Sequence, residues 1–321
     1  VRGPTLFRDS WAGGHELVVL GWHNIESTCR YPAEPGSGTR SIARQLRALR
    51  ALTSVVPLDP ALATLRGGGR LPPRAVALTF DDGYRDNLAL AMPLLRELGL
   101  PATFFLVPGF LGRRHEPWWE HLAWAFANAT VRKAEFAGIS LDVTDPAARR
   151  RSLTRVEPLL KSRDETGRRR AVAELVESMA PAGSCRCDEL FMDWDEARIM
   201  ARSGMSIGSH TMCHAVLARE DQAVQRRDLR ESRALLEHAL ELPVASLAYP
   251  NGEPGDYDGT TLAAARAAGY AQAVTTHGVA NRSTTEPFEI RRRVLAPGDN
   301  AAVVVAGLVR GVRRERARSV A

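Results

Sequence analysis

The stretch Ala75-Val76-Ala77-Leu78-Thr79-Phe80-Asp81-Asp82-Gly83-Tyr84 is an apolar, strand-like run that stops at two carboxylates and a glycine. Consecutive residues of a regular strand face opposite ways, so Asp81 and Asp82 can serve one site only where the strand ends and the backbone turns. Gly83 permits that turn. Adjacent carboxylates repel unless a cation keeps one of them ionised. Taken alone, Asp-Asp-Gly is also a common turn, and a purely structural reading of it stands until a second cluster joins it.

Comparable apolar runs lie at Leu17 to Gly21, Ala102 to Val107, Met205 to Gly208, Ala245 to Tyr249 and Ala271 to Thr275. Between them run amphipathic stretches at Ser41 to Leu52, Asp86 to Leu98, Asp193 to Arg202, Asp221 to Leu240 and Thr260 to Ala268. Strands and helices taking turns predict an α/β fold around a mainly parallel sheet or barrel. Asp193 and Glu196 have capping-box spacing and Gly204 sits where their helix should stop, while Gly99 and Pro101 close the helix before the strand of Phe104 and Phe105. From about Gly112 the pattern turns polar, arginine-rich and helical. This predicts a discontinuous barrel of residues 1–111 and 193–321 interrupted by a helical insertion, 112–192. Trp118, Trp119, Trp124 and Phe126 would pack that insertion onto the barrel, with a sugar-stacking platform as the other reading.

The second cluster is Ser209-His210-Thr211-Met212-Cys213-His214, directly after the run Met205 to Gly208. Two imidazoles four residues apart converge on one metal if the segment coils, and neutral nitrogen donors suit zinc or another first-row divalent ion. Joined to the carboxylate pair they give a two-histidine, one-carboxylate site with open positions for water and substrate. Iron oxygenases share that donor set. The spare carboxylate favours hydrolysis, which needs a base beside the activated water, and Asp81 is the candidate. Cys213 is read as packing.

These two runs and the later Leu247-Ala248-Tyr249-Pro250-Asn251-Gly252 resemble, in order, three motifs of the polysaccharide deacetylases, the family-four carbohydrate esterases. The resemblance covers most of the chain outside the insertion. It implies a distorted (β/α) barrel, Asp81 as base, Asp82, His210 and His214 as ligands of one divalent ion (zinc, with cobalt, nickel or iron as alternatives), and hydrolysis of an acetamide on a sugar. Many members place an arginine just before this proline to orient the base, and here that role has no evident occupant. The segment is closer to the exopolysaccharide, poly-N-acetylglucosamine branch. For that branch the resemblance implies an oxyanion-binding amide near Tyr249 and a groove lined by Tyr249, Pro250 and Asn251. It also implies an acid histidine at the end of the first strand, which Trp22-His23 matches. His277, after the run Ala271 to Thr275, is the alternative acid, because the late Leu-x-His motif of other members is not found. His15, His115, His121 and His238 read as structural or solvated.

Two rival readings remain at this stage. A metal amidohydrolase of the same fold acting on a non-sugar amide would use the same metal and base, and a non-catalytic carbohydrate-binding relative would keep the fold.

Composition sets the outer bounds. At 321 residues with 45% hydrophobic and 25% charged content, the chain is an ordinary globular protein. Its formal charge of +6 is carried by arginine, since Lys133 and Lys161 are the only lysines. The dense runs Arg149 to Arg151 and Arg168 to Arg170 lie on helix-like stretches and read as solvated helix faces rather than a nucleic-acid footprint. Arg291 to Arg293 follow an apparent strand start near Phe288 and read first as surface residues, with a salt bridge near the site or contact with an anionic substrate as the second reading for one of them, and the basic tail Val309 to Arg318 leaves contact with a membrane surface or anionic polymer open. Asn251 and Asp256 are explained by turn chemistry. The expected partner is an N-acetylated glycan. Four cysteines fit neither a zinc ribbon nor a disulfide scaffold, and no run approaches the ~18 apolar residues of a membrane span. The chain as given leans towards a cytoplasmic location, or towards the cell envelope or secretion if an upstream leader has been removed.

Overall fold

Alternation along the strands assigns each side chain near the strand ends to one of two sides, and the whole site follows from that parity. The computed structural model describes residues 11, 13–296 and 299–300. In chain order its elements are β1 (Leu17–Trp22), α1 (Ser37–Leu52), β2 (Ser54–Val55), α2 (Leu58–Arg66), β3 (Ala75–Phe80), α3 (Met92–Leu98), β4 (Thr103–Leu106), α4 (Pro108–Leu111), α5 (Trp118–Asn128), β5 (Lys133–Phe136) and β6 (Ile139–Asp142). They continue with α6 (Pro146–Lys161), α7 (Glu165–Met179), α8 (Trp194–Arg202), β7 (Ser206–Ser209), α9 (Gln222–Leu240), β8 (Ser246–Ala248), α10 (Gly259–Ala267), β9 (Gln272–Val274), β10 (Ala280–Asn281) and β11 (Arg293–Val294). The main sheet runs β10-β1-β3-β4-β7-β8-β9, parallel from β1 to β9, with β10 antiparallel to β1. The strap from Pro287 to Leu295 bridges to β9 at Ile290 and then pairs with β1 through Arg293 and Val294. It closes the curled sheet into the distorted (β/α) barrel that the sequence predicts.

Leu17 and Val19 of β1, Ala75 and Ala77 of β3, Phe105 of β4, Ala248 of β8 and Ile290 share one buried cluster inside the barrel, plugged from the strand starts by Leu58, Leu62 and Leu65 of α2. The residues between them, Val18, Leu20, Trp22, Val76, Leu78, Phe80, Phe104, Leu106, Ile207, Leu247 and Tyr249, form the outer core with α1, α3, α8, α9 and α10. There Trp22, Phe80 and Phe104 stack with centroids 5.3 and 4.9 Å apart, and the Trp22 indole donates to Gln45 of α1 at 2.8 Å. The interior is narrow. A Cβ on Gly208 would stand 2.4 Å from the Phe105 ring, so this position takes glycine alone.

Three features depart from the sequence reading. The stretch Asp86 to Leu98 is not one regular helix: a π-helical turn over Asn87–Ala91 precedes α3. Pro93 has no N–H to give, and the wider turn accommodates that loss. The segment 112–192, read as a helical insertion, is not wholly helical, because β5 and β6 form an antiparallel hairpin through Ala137 and Gly138, both at positive φ. Nor is the run Arg168 to Arg170 a solvated face throughout. Arg168 is fully buried, paired with Glu165 and facing the Trp118 ring at 5.4 Å. The helices α5, α6 and α7 and the hairpin surround their own apolar cluster, with Trp118 and Trp119 inside it, joined to the barrel through Tyr84, Val107, Phe110 and Phe191. No helix among the described residues is long and apolar enough to cross a membrane, and the tail Val309 to Arg318 lies outside them.

Candidate metal and catalytic site

Parity delivers the site. On β3, Val76, Leu78 and Phe80 face the helices, so Ala77, Thr79 and Asp81 face the barrel axis. By the same count His23 follows Gly21 inward past Trp22, and His210 follows Gly208 inward past Ser209. Asp82 would be carried outward by a continuing strand. Instead it takes φ +69° and Gly83 takes φ +79°, which turns the Asp82 carboxylate back to the same end as Asp81. Thr211 and His214 are likewise left-handed, at +64° and +58°. Such conformations cost non-glycine residues about 1–2 kcal/mol each. Two of the strained residues carry the proposed ligand atoms, the arrangement expected where backbone strain serves a site.

The Nε2 atoms of His210 and His214 each lie 3.4 Å from Asp82 Oδ1, and the three side chains are buried. His210 Nδ1 is 2.7 Å from the Ala248 carbonyl, which can only accept, so Nδ1 carries a proton, and in its neutral form the ring turns the Nε2 lone pair towards Asp82. Asp82 Oδ1 has no hydrogen-bond partner. An acceptor oxygen facing acceptor nitrogens in a buried pocket calls for a cation. Two donors each ~2.1 Å from a tetrahedral ion stand ~3.4 Å apart, so these spacings fit one. Electrostatics agree: although burial opposes ionisation, the two imidazoles hold Asp82 well below the usual carboxylate range, and burial pushes His214 down to about 3. Both are thereby kept in their metal-binding forms. For His210 burial acts downward too, but Asp82 and Asp81 outweigh it and favour its protonated form when no ion competes.

Asp81 is clamped by one of the three arginines for which the sequence reading put the surface first and a salt bridge near the site second. Arg292 is fully buried and donates from Nη1 to Asp81 Oδ1 and from Nη2 to Oδ2, each at 2.6 Å. Its remaining donors go to Thr79 Oγ1 and the Thr275 carbonyl, both at 3.1 Å. Burial alone would raise Asp81, and the guanidinium outweighs it and holds the carboxyl below its ordinary value. The arginine that the sequence lacks before Pro250 thus has a counterpart on the strap, paired with Asp81. Alternation from the inward Ile290 selects Arg292 over Arg291 and Arg293, a signal already present in the sequence.

His23 stands at the end of β1, 34% exposed, with Nε2 3.9 Å from Asp81 Oδ2. Its carbonyl accepts from Asn87 Nδ2 at 2.9 Å, and Asp86 Oδ2 takes the amides of Ile25 and Glu26 at 2.7 and 2.9 Å. The turn after β3 thus fixes the loop after β1. The inserted helices reach the same place: the Trp119 ring lies 4.6 Å from that of His214, and its indole donates to the Tyr84 hydroxyl, which donates to Glu120.

The third sequence motif is placed differently from its expectation. Tyr249 has the outward parity of Leu247. Its side chain is 1% exposed, its hydroxyl donates to the Phe288 carbonyl at 3.1 Å, and its amide donates to Val274 at 3.2 Å. It neither lines a groove nor offers a free oxyanion donor. Pro250 has no N–H, and Asn251 takes φ +57° with its carbonyl engaged by Thr276. His277, the alternative acid, lies 2.9 Å from the Tyr257 hydroxyl and stacks on that ring rather than meeting Asp81.

The family model described as polysaccharide deacetylase matches residues 68–273. This chain belongs to the polysaccharide deacetylase family. Asp81, Asp82, His210 and His214 fall inside the matched segment, while His23 and Arg292 lie outside it, one residue past the end of β1 and one before the start of β11, strands that pair with each other. Among curated proteins, the chain is 22% identical over 225 residues to the putative polysaccharide deacetylase YxkH of Bacillus subtilis, covering 70% of the chain and 53% of the relative. It is 30% identical over 104 residues to the poly-beta-1,6-N-acetyl-D-glucosamine N-deacetylase of Escherichia coli strain K12, covering 32% of the chain and 15% of the relative. The chain thus spans about half of the first relative and a small part of the second. Its fold is similar to that of the Streptococcus pyogenes deacetylase PplD, with TM-score 0.61, 16% identity, and coverage of 91% of this chain and 98% of that one. It is also similar to IcaB from Ammonifex degensii, with TM-score 0.58, 22% identity, and coverage of 92% and 97%.

Proposed function

We propose that this protein removes the acetyl group from an N-acetylated amino sugar of a polysaccharide or glycoconjugate. The observation that carries the reading is the convergence of a bare acceptor triad, Asp82, His210 and His214, with an arginine-clamped carboxylate and an accessible histidine at one barrel end. Family membership and the local similarity to a poly-N-acetylglucosamine deacetylase support the sugar.

In this reading Asp82, His210 and His214 hold one divalent ion, zinc being best suited to the nitrogen and oxygen donors. When bound, the ion supplies Lewis-acid polarisation of the acetyl carbonyl and of water. Asp81 accepts the proton of the attacking water, and Arg292 keeps it ionised and in one orientation, so the base is ready over a wide acidic range. The buried pair also keeps Asp81 from rotating away from the water. His23, on the open side, gives its proton to the departing nitrogen, which leaves as the amine. His210 stays in its ligand tautomer because the Ala248 carbonyl holds Nδ1.

The test is acetate release from N-acetylglucosamine oligomers with and without added zinc or cobalt, alongside Asp81→Asn. Metal-dependent release that the substitution abolishes is the expected result. A protein that binds no metal, or releases acetate equally well as Asp81→Asn, overturns the mechanism.

A further inference from the structure

The loop between His23 and α1 carries an exposed aromatic residue that no motif accounts for. Tyr31 is one of three large hydrophobic residues left exposed among the described residues, at 42%. Exposure alone says little, since single surface aromatics are common. Its surroundings say more. The loop adjoins the proposed ligands: Tyr31 and Thr28 are hydrogen-bonded, Thr28 donates to Glu120, Glu120 also accepts from the Tyr84 hydroxyl, and that hydroxyl accepts from the indole of Trp119, whose ring lies 4.6 Å from that of His214. Enclosure by protein, followed by the charge of Asp82, pushes the Tyr31 phenol up to about 12, in keeping with that position.

The ring is held in place. The Arg30 guanidinium covers one face, 4.9 Å from the centroid, and is itself fixed by Glu157 of α6, with Nε to Oε1 at 2.6 Å and Nη2 to Oε2 at 2.9 Å. Glu120 of α5 accepts from Thr28 Oγ1 at 2.8 Å and from the Arg30 amide at 3.2 Å. Thr28 and Tyr31 exchange two further bonds, the Thr28 amide to the Tyr31 carbonyl at 3.1 Å and the Tyr31 amide to Thr28 Oγ1 at 3.0 Å. With one face covered and the loop pinned to two inserted helices, the other face is a rigid platform that loses little entropy on binding.

We propose that Tyr31 is the aromatic platform on which a pyranose ring of the N-acetylated glycan stacks while its acetamide lies over Asp82. The inference rests on the sugar substrate of the proposed function. It assigns the inserted segment a role in substrate binding, exercised through Glu120 and Glu157. Stacking needs the ring and not the hydroxyl, and this decides the variants.

Acetate release is measured for wild type, Tyr31→Phe and Tyr31→Ala on a β-1,6-linked N-acetylglucosamine oligomer and on 4-nitrophenyl acetate, which has an acyl group and no sugar. In Tyr31→Ala the ratio of oligomer to aryl-acetate kcat/KM falls about five- to tenfold, chiefly through oligomer KM. In Tyr31→Phe it stays within about twofold of wild type. An unchanged ratio in Tyr31→Ala overturns the platform. Equal losses in Tyr31→Phe and Tyr31→Ala overturn it in favour of a hydroxyl contact. A wild-type enzyme that cleaves aryl acetate and no oligomer overturns the sugar reading and the platform with it, whereas oligomer turnover insensitive to Tyr31→Ala removes only the platform.

Discussion

Two pairs of strand ends meet at the same rim of the barrel, yet only one pair leaves buried polar atoms without partners among the described residues. After β3 and β7 the chain turns through left-handed residues, Asp82 with Gly83 and Thr211 with His214, and leaves Asp82 Oδ1 and Thr211 Oγ1 buried without partners. After β8 it turns in the same way through Asn251 and Gly252, but the neighbouring polar groups are engaged: Tyr249 with Phe288 and Val274, and, beyond β9, His277 with Tyr257. A left-handed kink therefore marks only where a strand leaves the barrel. What separates a binding site from a well-made turn is unsatisfied acceptors pointing at one another.

The contrast can be broken most severely at the carboxylates. Asp81→Asn and Asp82→Asn should each lower kcat/KM for acetate release by about 10³-fold, while Tyr249→Phe should stay within about threefold. Comparable losses at Tyr249 would mean that the β8 end belongs to the site after all. Next in size is the buried pair. Arg292→Met leaves Asp81 charged and alone, which costs about 3–5 kcal/mol in denaturant unfolding. Burial then raises the carboxyl against His210 and His23 alone, so the acid limb of kcat/KM moves to higher pH, and an unmoved limb would show that Asp81 is not the base.

Metal addition sharpens the comparison without touching the base. Zinc at a hundred times its Kd should stabilise the wild type by about 2.7 kcal/mol and leave Asp82→Asn unmoved in a thermal melt. Tyr249→Phe should cost about 1–2 kcal/mol of stability by leaving the Phe288 carbonyl unpaired, the reverse of its small effect on rate.

The smallest effect is a slope. Asp228 accepts the Met212 amide at 2.9 Å behind the two ligand histidines, and burial pushes it up to about 7. A carboxyl whose folded pKa exceeds its unfolded value binds its proton more tightly when folded, so its contribution to stability grows as pH falls from about 7 towards 4. Asp228→Asn keeps an acceptor for Met212 and removes that slope. Unfolding curves of the two proteins that stay parallel between pH 4.5 and pH 8 would refute the assignment.

The sequence made the ligands legible because each lies at a change of pattern, where an apolar run meets a carboxylate pair or an imidazole pair. It also made His23 legible, at the end of the first strand. Arg292 was hidden among three adjacent arginines that composition cannot tell apart. Only parity from Ile290 singles it out, and that strand is too short to be noticed as one. Tyr249 was misplaced for the converse reason: its motif suggested the groove, while its parity with Leu247 sends it to the helices. The β5–β6 hairpin was overlooked because Ala134, Phe136 and Leu141 alternate within a segment dominated by arginine, and Arg168 is buried by contacts with His214 and Trp118 that no local pattern announces.

The strap from Pro287 to Leu295 shuts the barrel and carries the guanidinium that sets the base, so assembly and competence arrive together. Proteins are made from the N-terminus, and domains fold as their last contributing segment emerges. A nascent chain halted after Ile290 would already display Asp81 and all three ligand side chains, yet its base would be a solvated carboxylate with no fixed bearing. In the proposed mechanism the order matters, because until Arg292 is in place the carboxylate that would take the proton of water has neither its charge nor its orientation held.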